Sequence, residues 1–259
     1  MEKTTMLFLV LQFILSSLSI PTEALENVAT LVKESSMAEW VDDSSGVALR
    51  LKYPKGCVGT SRKNGCALQF SIPLDLENAD DLWCSYEVYF EKNFDFRNGG
   101  KLPGFCGGKC YTGGDKPKEP DGWSNRIMWK KDGYLTQYVY SADQKDKYAD
   151  NIQWDLKGSM VQKKITEGQW HKIIMHVVLN DADNQKNFSK NGVIQTWFDG
   201  KPVVEVDTML FRNDSSQKID KFYFSTFHGG SSQSYSPRWD SFIRFRRLKI
   251  SRKISDHFL

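Results

Sequence analysis

Three short segments carry side chains able to move protons or hold an anion. They are Asn98-Gly99-Gly100-Lys101-Leu102-Pro103-Gly104, Asp121-Gly122-Trp123-Ser124-Asn125-Arg126 and Gln137-Tyr138-Val139-Tyr140. Lys101 and Arg126 can neutralise a carboxylate, and the planar guanidinium of Arg126 suits a bidentate contact. These segments hold no histidine and no carboxylate except Asp121, which leaves tyrosine as the natural proton carrier. Lys101 is its rival as base if its own pKa is depressed. A phenol with an ordinary pKa of about 10 is seldom ionised at neutral pH, so two neighbouring cations would have to favour the phenolate. Hydrolysis by paired carboxylates fits less well, because it needs two carboxyl groups about 5 to 9.5 Å apart. Glu87 and Glu205 are the nearest candidates, and only Asp207 stands two residues from either.

Side chains two apart on a strand share a face, so Ser124 pairs with Arg126 and Tyr138 with Tyr140. Whether the two pairs meet depends on the turn between them. A two-residue Asp132-Gly133 loop sets residue 126 opposite 139 and sends the arginine and the tyrosines to opposite faces. A three-residue Lys131-Asp132-Gly133 loop, with glycine in the left-handed position, pairs 130 with 134. Arg126 then faces Tyr138 and Ser124 faces Tyr140, and this is the register we expect.

The elements that must carry these residues read as strands. Leu82 to Phe90, Ser124 to Trp129, Tyr134 to Ser141, Trp170 to Leu179, Val193 to Phe198, Lys221 to Phe227 and Phe242 to Ile250 are rich in aromatic and β-branched residues. Asp132-Gly133, Asn191-Gly192 and Asp199-Gly200 supply turns beside them. A helical stripe is confined to Asn27 to Met37. Strands without alternating helices imply an all-β, antiparallel two-sheet sandwich or jelly roll with few short helices. With 40% hydrophobic residues, among them 16 Phe, 10 Tyr and 8 Trp, the chain can build a large core, and disorder is excluded as its main state. No internal repeat or composition break divides it, so residues 25–259 read as one domain.

Residues 1–24 stand apart. Lys3 precedes an apolar run, Met6 to Ile20, that is too short and too Ser-interrupted to span a bilayer, and Pro21 and Ala24 then offer a cleavage site. We expect a secretory leader, and a soluble, extracellular, monomeric product with no membrane partner. At a net charge of +3 a nucleic-acid partner is not indicated. Secretion makes the five cysteines disulfide candidates. Cys57 with Cys66 and Cys106 with Cys110 each close a Gly-rich loop, which leaves Cys84 as a buried thiol. Asn187-Phe188-Ser189 and Asn213-Asp214-Ser215 are glycan sequons.

The segments NGGKLPG (98–104), DGWSNRIMW (121–129), the Tyr-x-Tyr at 138 and 140, WHKIIMHVVLND (170–181), NGVIQTWFDGKPV (191–203) and FYFSTFHGGS (222–231) resemble polysaccharide lyase family 14, the alginate and glucuronan lyases. The likeness covers roughly residues 80 to 250, and Lys-Leu-Pro-Gly is its most specific block. It implies a concanavalin-like β-jelly roll that cleaves an acidic polysaccharide by β-elimination, with no metal and no cofactor. The expected activity is that of an alginate lyase of the poly(β-D-mannuronate) type. Glucuronan cleavage and a non-catalytic carbohydrate-binding jelly roll are the alternatives. The family's catalytic lysine falls on Lys101, its serine and arginine on Ser124 and Arg126, and its tyrosines on Tyr138 and Tyr140. In mannuronate and glucuronate H5 and O4 leave from the same side of the ring, so one tyrosine, Tyr140, is expected to take the proton and return it to O4. Trp123, Lys130 and His228, which precedes a Gly-Gly turn, are candidates to contact substrate. His171 and His176, five apart, should face opposite ways. The basic run from Arg244 to Lys253 is a solvated edge that a polyanion could also use.

Overall fold

The computed structural model describes residues 3–254 except 16–17, 19, 44–45, 61–65, 75, 77–78, 116, 118–120, 156–162, 184–186 and 231. Two helices, α1 (Lys3–Phe13) and α2 (Thr22–Glu34), lead into strands β1 (Ala38–Asp43), β2 (Gly46–Tyr53), β3 (Ala67–Pro73), β4 (Asp81–Phe90) and β5 (Gly99–Gly108). They continue through β6 (Gly122–Lys130), β7 (Leu135–Tyr140), β8 (Asp150–Gln153), β9 (Trp170–Val178), β10 (Gly192–Phe198), β11 (Lys201–Met209), β12 (Lys221–His228) and β13 (Ser241–Ser251). One sheet has the order β1-β2-β13-β4-β9-β10-β11 and the other β3-β12-β5-β6-β7-β8, with antiparallel pairing throughout. The core fills the space between them, as a two-layer sandwich requires.

Alternation along each strand decides what goes inside. On β6, Trp123, Ile127 and Trp129 join the core, while Ser124, Arg126 and Met128 lie on the outer face. On β7, Leu135 and Val139 point in, and Tyr138 and Tyr140 point out. Asn125 and Gln137 also face inward and bond to one another, and the Thr196 hydroxyl on β10 donates to Gln137 Oε1 (3.1 Å). This polar link joins the two sheets directly behind the outward-facing residues and satisfies groups whose burial alone would be costly.

Every strand expected from sequence is present. The N-terminal helix starts and ends earlier than its expected span of 27–37, because its buried face, Ala24, Leu25, Val28, Ala29 and Val32, begins before residue 27. Helix α1 sets Phe13 against Trp40 and Phe224, with centroids 5.7 and 6.1 Å apart. The bond that follows Ala24 lies within α2. Both expected disulfides, Cys57–Cys66 and Cys106–Cys110, are formed, and Cys84 is a buried thiol.

Strand β5 is the departure from simple strand chemistry. Its pairing with β6 runs Lys101 to Met128 and Leu102 to Ile127, then jumps to Phe105 with Asn125. Pro103 and Gly104 therefore form a bulge opposite Arg126, which keeps both Leu102 and Phe105 in the core while Lys101 points out. Close approach explains Gly104: a Cβ there would lie 2.1 Å from the Asn125 carbonyl oxygen and 2.8 Å from the Arg126 Cα. Backbone cannot yield as a flexible side chain can. Gly104→Ala is expected to cost about 1–3 kcal/mol or more in urea unfolding. An unchanged urea midpoint in Gly104→Ala would show that the bulge is not tightly packed.

Candidate functional site

The turn after β6 sets the site. Lys130 N–H donates to the Tyr134 carbonyl (2.7 Å), closing a three-residue loop in which Asp132 and Gly133 both have positive φ (62° and 83°). Ser124 consequently pairs with Tyr140 and Arg126 with Tyr138, the register expected from the loop length. Lys101 joins them from β5, its Nζ 4.1 Å from the centroid of the Tyr138 ring. Tyr138 and Tyr140 pack edge to face at 5.6 Å. With Tyr111, Met128 and Ala149 they form a small apolar cluster separate from the main core.

The five residues share a face but not an exposure. Lys101 and Tyr138 are each 7% exposed and line a cleft of about 730 Å3, with Lys130 on its border. Ser124, Arg126 and Tyr140 are at 0%. The segment after the Cys106–Cys110 disulfide covers all three. The Ser124 hydroxyl donates to the Tyr111 carbonyl (2.7 Å), Arg126 Nη2 donates to the Thr112 hydroxyl (3.0 Å), and the Gly114 N–H donates to the Tyr140 hydroxyl (3.0 Å).

Burial drives the electrostatics. Lys101 Nζ has the Met128 thioether 3.1 Å away, a weak acceptor. Desolvation, helped by the nearby charges of Arg126 and Lys130, holds the amine well below the usual lysine range. Burial also lowers Arg126, which has no carboxylate within ion-pair distance among the described residues and whose Nε lacks a partner there. Tyr138 moves the other way: burial first, then the Tyr140 hydroxyl beside it, raises its phenol, while Arg126 opposes the rise. Environments that push two adjacent groups in opposite directions favour a neutral amine beside a protonated phenol, the pairing that a base and an acid need.

Two sequence candidates do not reach the cleft. Trp123 falls on the inward parity of β6 and packs its indole against Phe211 in the core (5.0 Å). His228 lies among Phe94, Trp129 and Tyr53, with Nε2 2.7 Å from the Asp95 carbonyl, and burial pushes it down to about 4, so it stays neutral. His171 is buried against Asp199 and Thr166, while His176 stacks on Trp83 on the opposite face of β9. Arg244 and Arg246 are on β13 of the other sheet, paired with Glu91 and Glu87, away from the cleft. Sequence reasoning missed Thr112. Its signal was the Cys106–Cys110 pair, which marks a tethered loop following β5.

The Lys101 shift has a consequence for stability. Its folded pKa lies below the unfolded value, so between the two the unfolded chain holds a proton that the folded chain lacks. Stability therefore rises with pH up to the ordinary lysine pKa. Lys101→Met is expected to raise the urea midpoint at neutral pH and to flatten that rise. An unchanged pH dependence would mean that the amine is not desolvated.

A family model for polysaccharide lyase 14 matches residues 41–248. Among curated proteins the chain is 22% identical over 209 residues to Exolysin of Paramecium bursaria Chlorella virus 1. That alignment covers 71% of this chain and 31% of the viral protein, so the chain spans about a third of that relative's length. Among solved structures it resembles the marine PL-14 alginate lyase from Aplysia kurodai (24% identity, TM-score 0.70), covering 90% of this chain and 96% of that one. It also resembles a variant of alginate lyase Aly36B in complex with an alginate tetrasaccharide (23% identity, TM-score 0.67), covering 88% and 90%. At these identities the structural likeness speaks for the fold.

Proposed function

The chain belongs to polysaccharide lyase family 14, and from that premise we propose that it cleaves the 1,4-glycosidic bonds of a polyuronate by β-elimination, with alginate the first substrate to test. The observation that carries the reading is the Lys101 amine against the Tyr138 ring in one cleft. Neutral Lys101 takes H5, the C5–H electron pair becomes the C4=C5 bond, and the C4–O4 bond breaks. Tyr138 protonates the departing O4 and regains a proton from Lys101 or water before the next turnover. Removal of H5 and departure of O4 on the same side, as in mannuronate or glucuronate, suit two groups standing this close.

The reading moves the proton-carrying role from Tyr140 to Tyr138 and Lys101, because Tyr140 is wholly covered and holds the Gly114 N–H. Arg126, which stays charged, biases the cleft toward anions from beneath the Thr112 hydroxyl, while Lys130 stands at the cleft border. Ser124 and Tyr140 act by holding the covering segment.

The test is incubation of the purified protein with polymannuronate, polyguluronate and glucuronan, following ultraviolet absorbance from unsaturated ends. A rise with at least one substrate is expected, and no rise with any polyuronate overturns the proposal. Lys101→Ala and Tyr138→Phe should each lower kcat by about 10²–10⁴-fold. The kcat/KM profile should fall on the acid side, as Lys101 takes up a proton. It should not fall on the alkaline side within the ordinary phenol range, since Tyr138 is raised.

Export belongs to the same proposal. It is supported by the apolar run ending before Pro21 and by two disulfides, which persist in oxidising compartments. Glycans on Asn187, exposed beside Asp183, and on Asn213 would accompany it. The protein recovered from culture medium is expected to have a mass that begins at Leu25 after deglycosylation. Retention of residues 1–24 in that material would remove the leader.

A further inference from the structure

Two tyrosines in the cleft have no part in the proposed proton transfers. Tyr148 lies in the connection from β7 to β8 and is 55% exposed; Tyr235 lies in a single helical turn between β12 and β13. Both line the cleft that holds Lys101 and Tyr138. Neither hydroxyl has a hydrogen-bond partner among the described residues, so hydrogen bonding does not account for where the rings stand.

Each ring rests on a glycine. A Cβ at Gly114 (φ +87°) would lie 2.7 Å from Tyr148 Cε1, and a Cβ at Gly230 (φ +84°) would lie 2.4 Å from Tyr235 Cδ2. Each ring thus lies close against bare backbone, and the Lys147 ammonium stands 5.7 Å from the Tyr148 centroid. A ring held this way offers a large contact area and loses little freedom when a ligand arrives.

Their places in the sheet order are informative. Across β12-β5-β6-β7-β8, Tyr235 follows β12 at one end, Lys101 is on β5, Tyr138 is on β7, and Tyr148 precedes β8 at the other end. At about 4.8 Å per strand the row spans roughly 19 Å, which is room for several sugar units.

We propose that Tyr148 and Tyr235 are substrate-binding platforms on either side of Lys101 and Tyr138, each stacking on the C–H face of a sugar while Lys130 and the field of Arg126 draw the carboxylates. The consequence, which rests on the lyase reading above, is that sugars occupy both sides of the broken bond. That row accommodates an internal stretch of chain, so cuts within chains that release oligosaccharides are expected.

The experiment compares Tyr148→Ala, Tyr235→Ala and the corresponding phenylalanine variants on polymeric and short polyuronates. Each alanine variant should raise KM for the polymer about tenfold, the scale of one lost aromatic contact, with kcat close to wild type and unchanged melting temperature. Phenylalanine should restore KM. Wild-type protein should lower solution viscosity early in the reaction, before many ends have formed. An unchanged KM in both alanine variants, or phenylalanine as damaging as alanine, overturns the proposal. Calorimetric binding of polymannuronate to the Lys101→Ala protein, with and without the tyrosine changes, separates the two claims. If no polyuronate is ever cleaved but the alanine changes still weaken binding, the platforms stand and the lyase reading falls. If cleavage occurs and binding is unaffected, the platforms fall alone.

Discussion

Lys101 and Arg126 lie on one face of one sheet, nearly out of water, with no carboxylate beside either among the described residues. Burying an uncompensated charge is among the most expensive things a fold can do, and the two residues meet that cost differently. The amine can shed its proton, and desolvation pushes it that way. The guanidinium cannot, so it is held by the hydroxyls of Thr112 and Ser225 and by the ring faces of Tyr223 and Tyr138. The covering segment from Tyr111 to Gly114 is therefore part of the solution to a buried cation. The Cys106–Cys110 disulfide fixes where that segment leaves the sheet.

Holding an amine and a guanidinium at this depth requires a sheet that does not give. Gly100 lets the Trp129 indole lie against the β5 backbone, since a Cβ there would fall 1.9 Å from the ring. Gly104 brings β5 equally close to β6 at the bulge. Behind them the Asn125–Gln137–Thr196 link ties the sheet to its partner through polar groups that fix register as well as distance. Apolar packing alone would tolerate a slip that these bonds do not. Because a one-residue slip would send Arg126 to the core and Asn125 to the cleft, register and site chemistry are one constraint.

Much of this was legible in the chain. Period-two alternation with β-branched and aromatic residues marks the long strands, and the length of the Lys131-Asp132-Gly133 loop alone places Arg126 against Tyr138. Strand β5 was not legible as a strand, because five glycines and a proline among its ten residues are what strand rules exclude. Only close packing explains their presence. Trp123 and His228 misled for a related reason. Sequence proximity to Ser124 and to a Gly-Gly turn says nothing of parity, and parity turned both rings into the core.

Parity, however, tells which face a side chain is on and not whether anything lies above it. Ser124, Arg126 and Tyr140 have the same parity as Lys101 and Tyr138, yet a segment with no regular secondary structure separates the two groups. That separation changes what each can do. A covered phenol such as Tyr140 acts on substrate only through a neighbour, and its neighbour is Tyr138, whose proton it helps to retain. A covered guanidinium contributes field more readily than contact, and Arg126 disfavours a proton on Lys101 while opposing the rise of Tyr138. Arg126 and Tyr140 thus adjust the protonation of the two residues that reach the cleft, while Ser124 holds the covering segment. The cleft needs a neutral amine and a protonated phenol side by side at one pH; burial pushes each residue that way first, and Arg126 beside the amine and Tyr140 beside the phenol push further in the same directions.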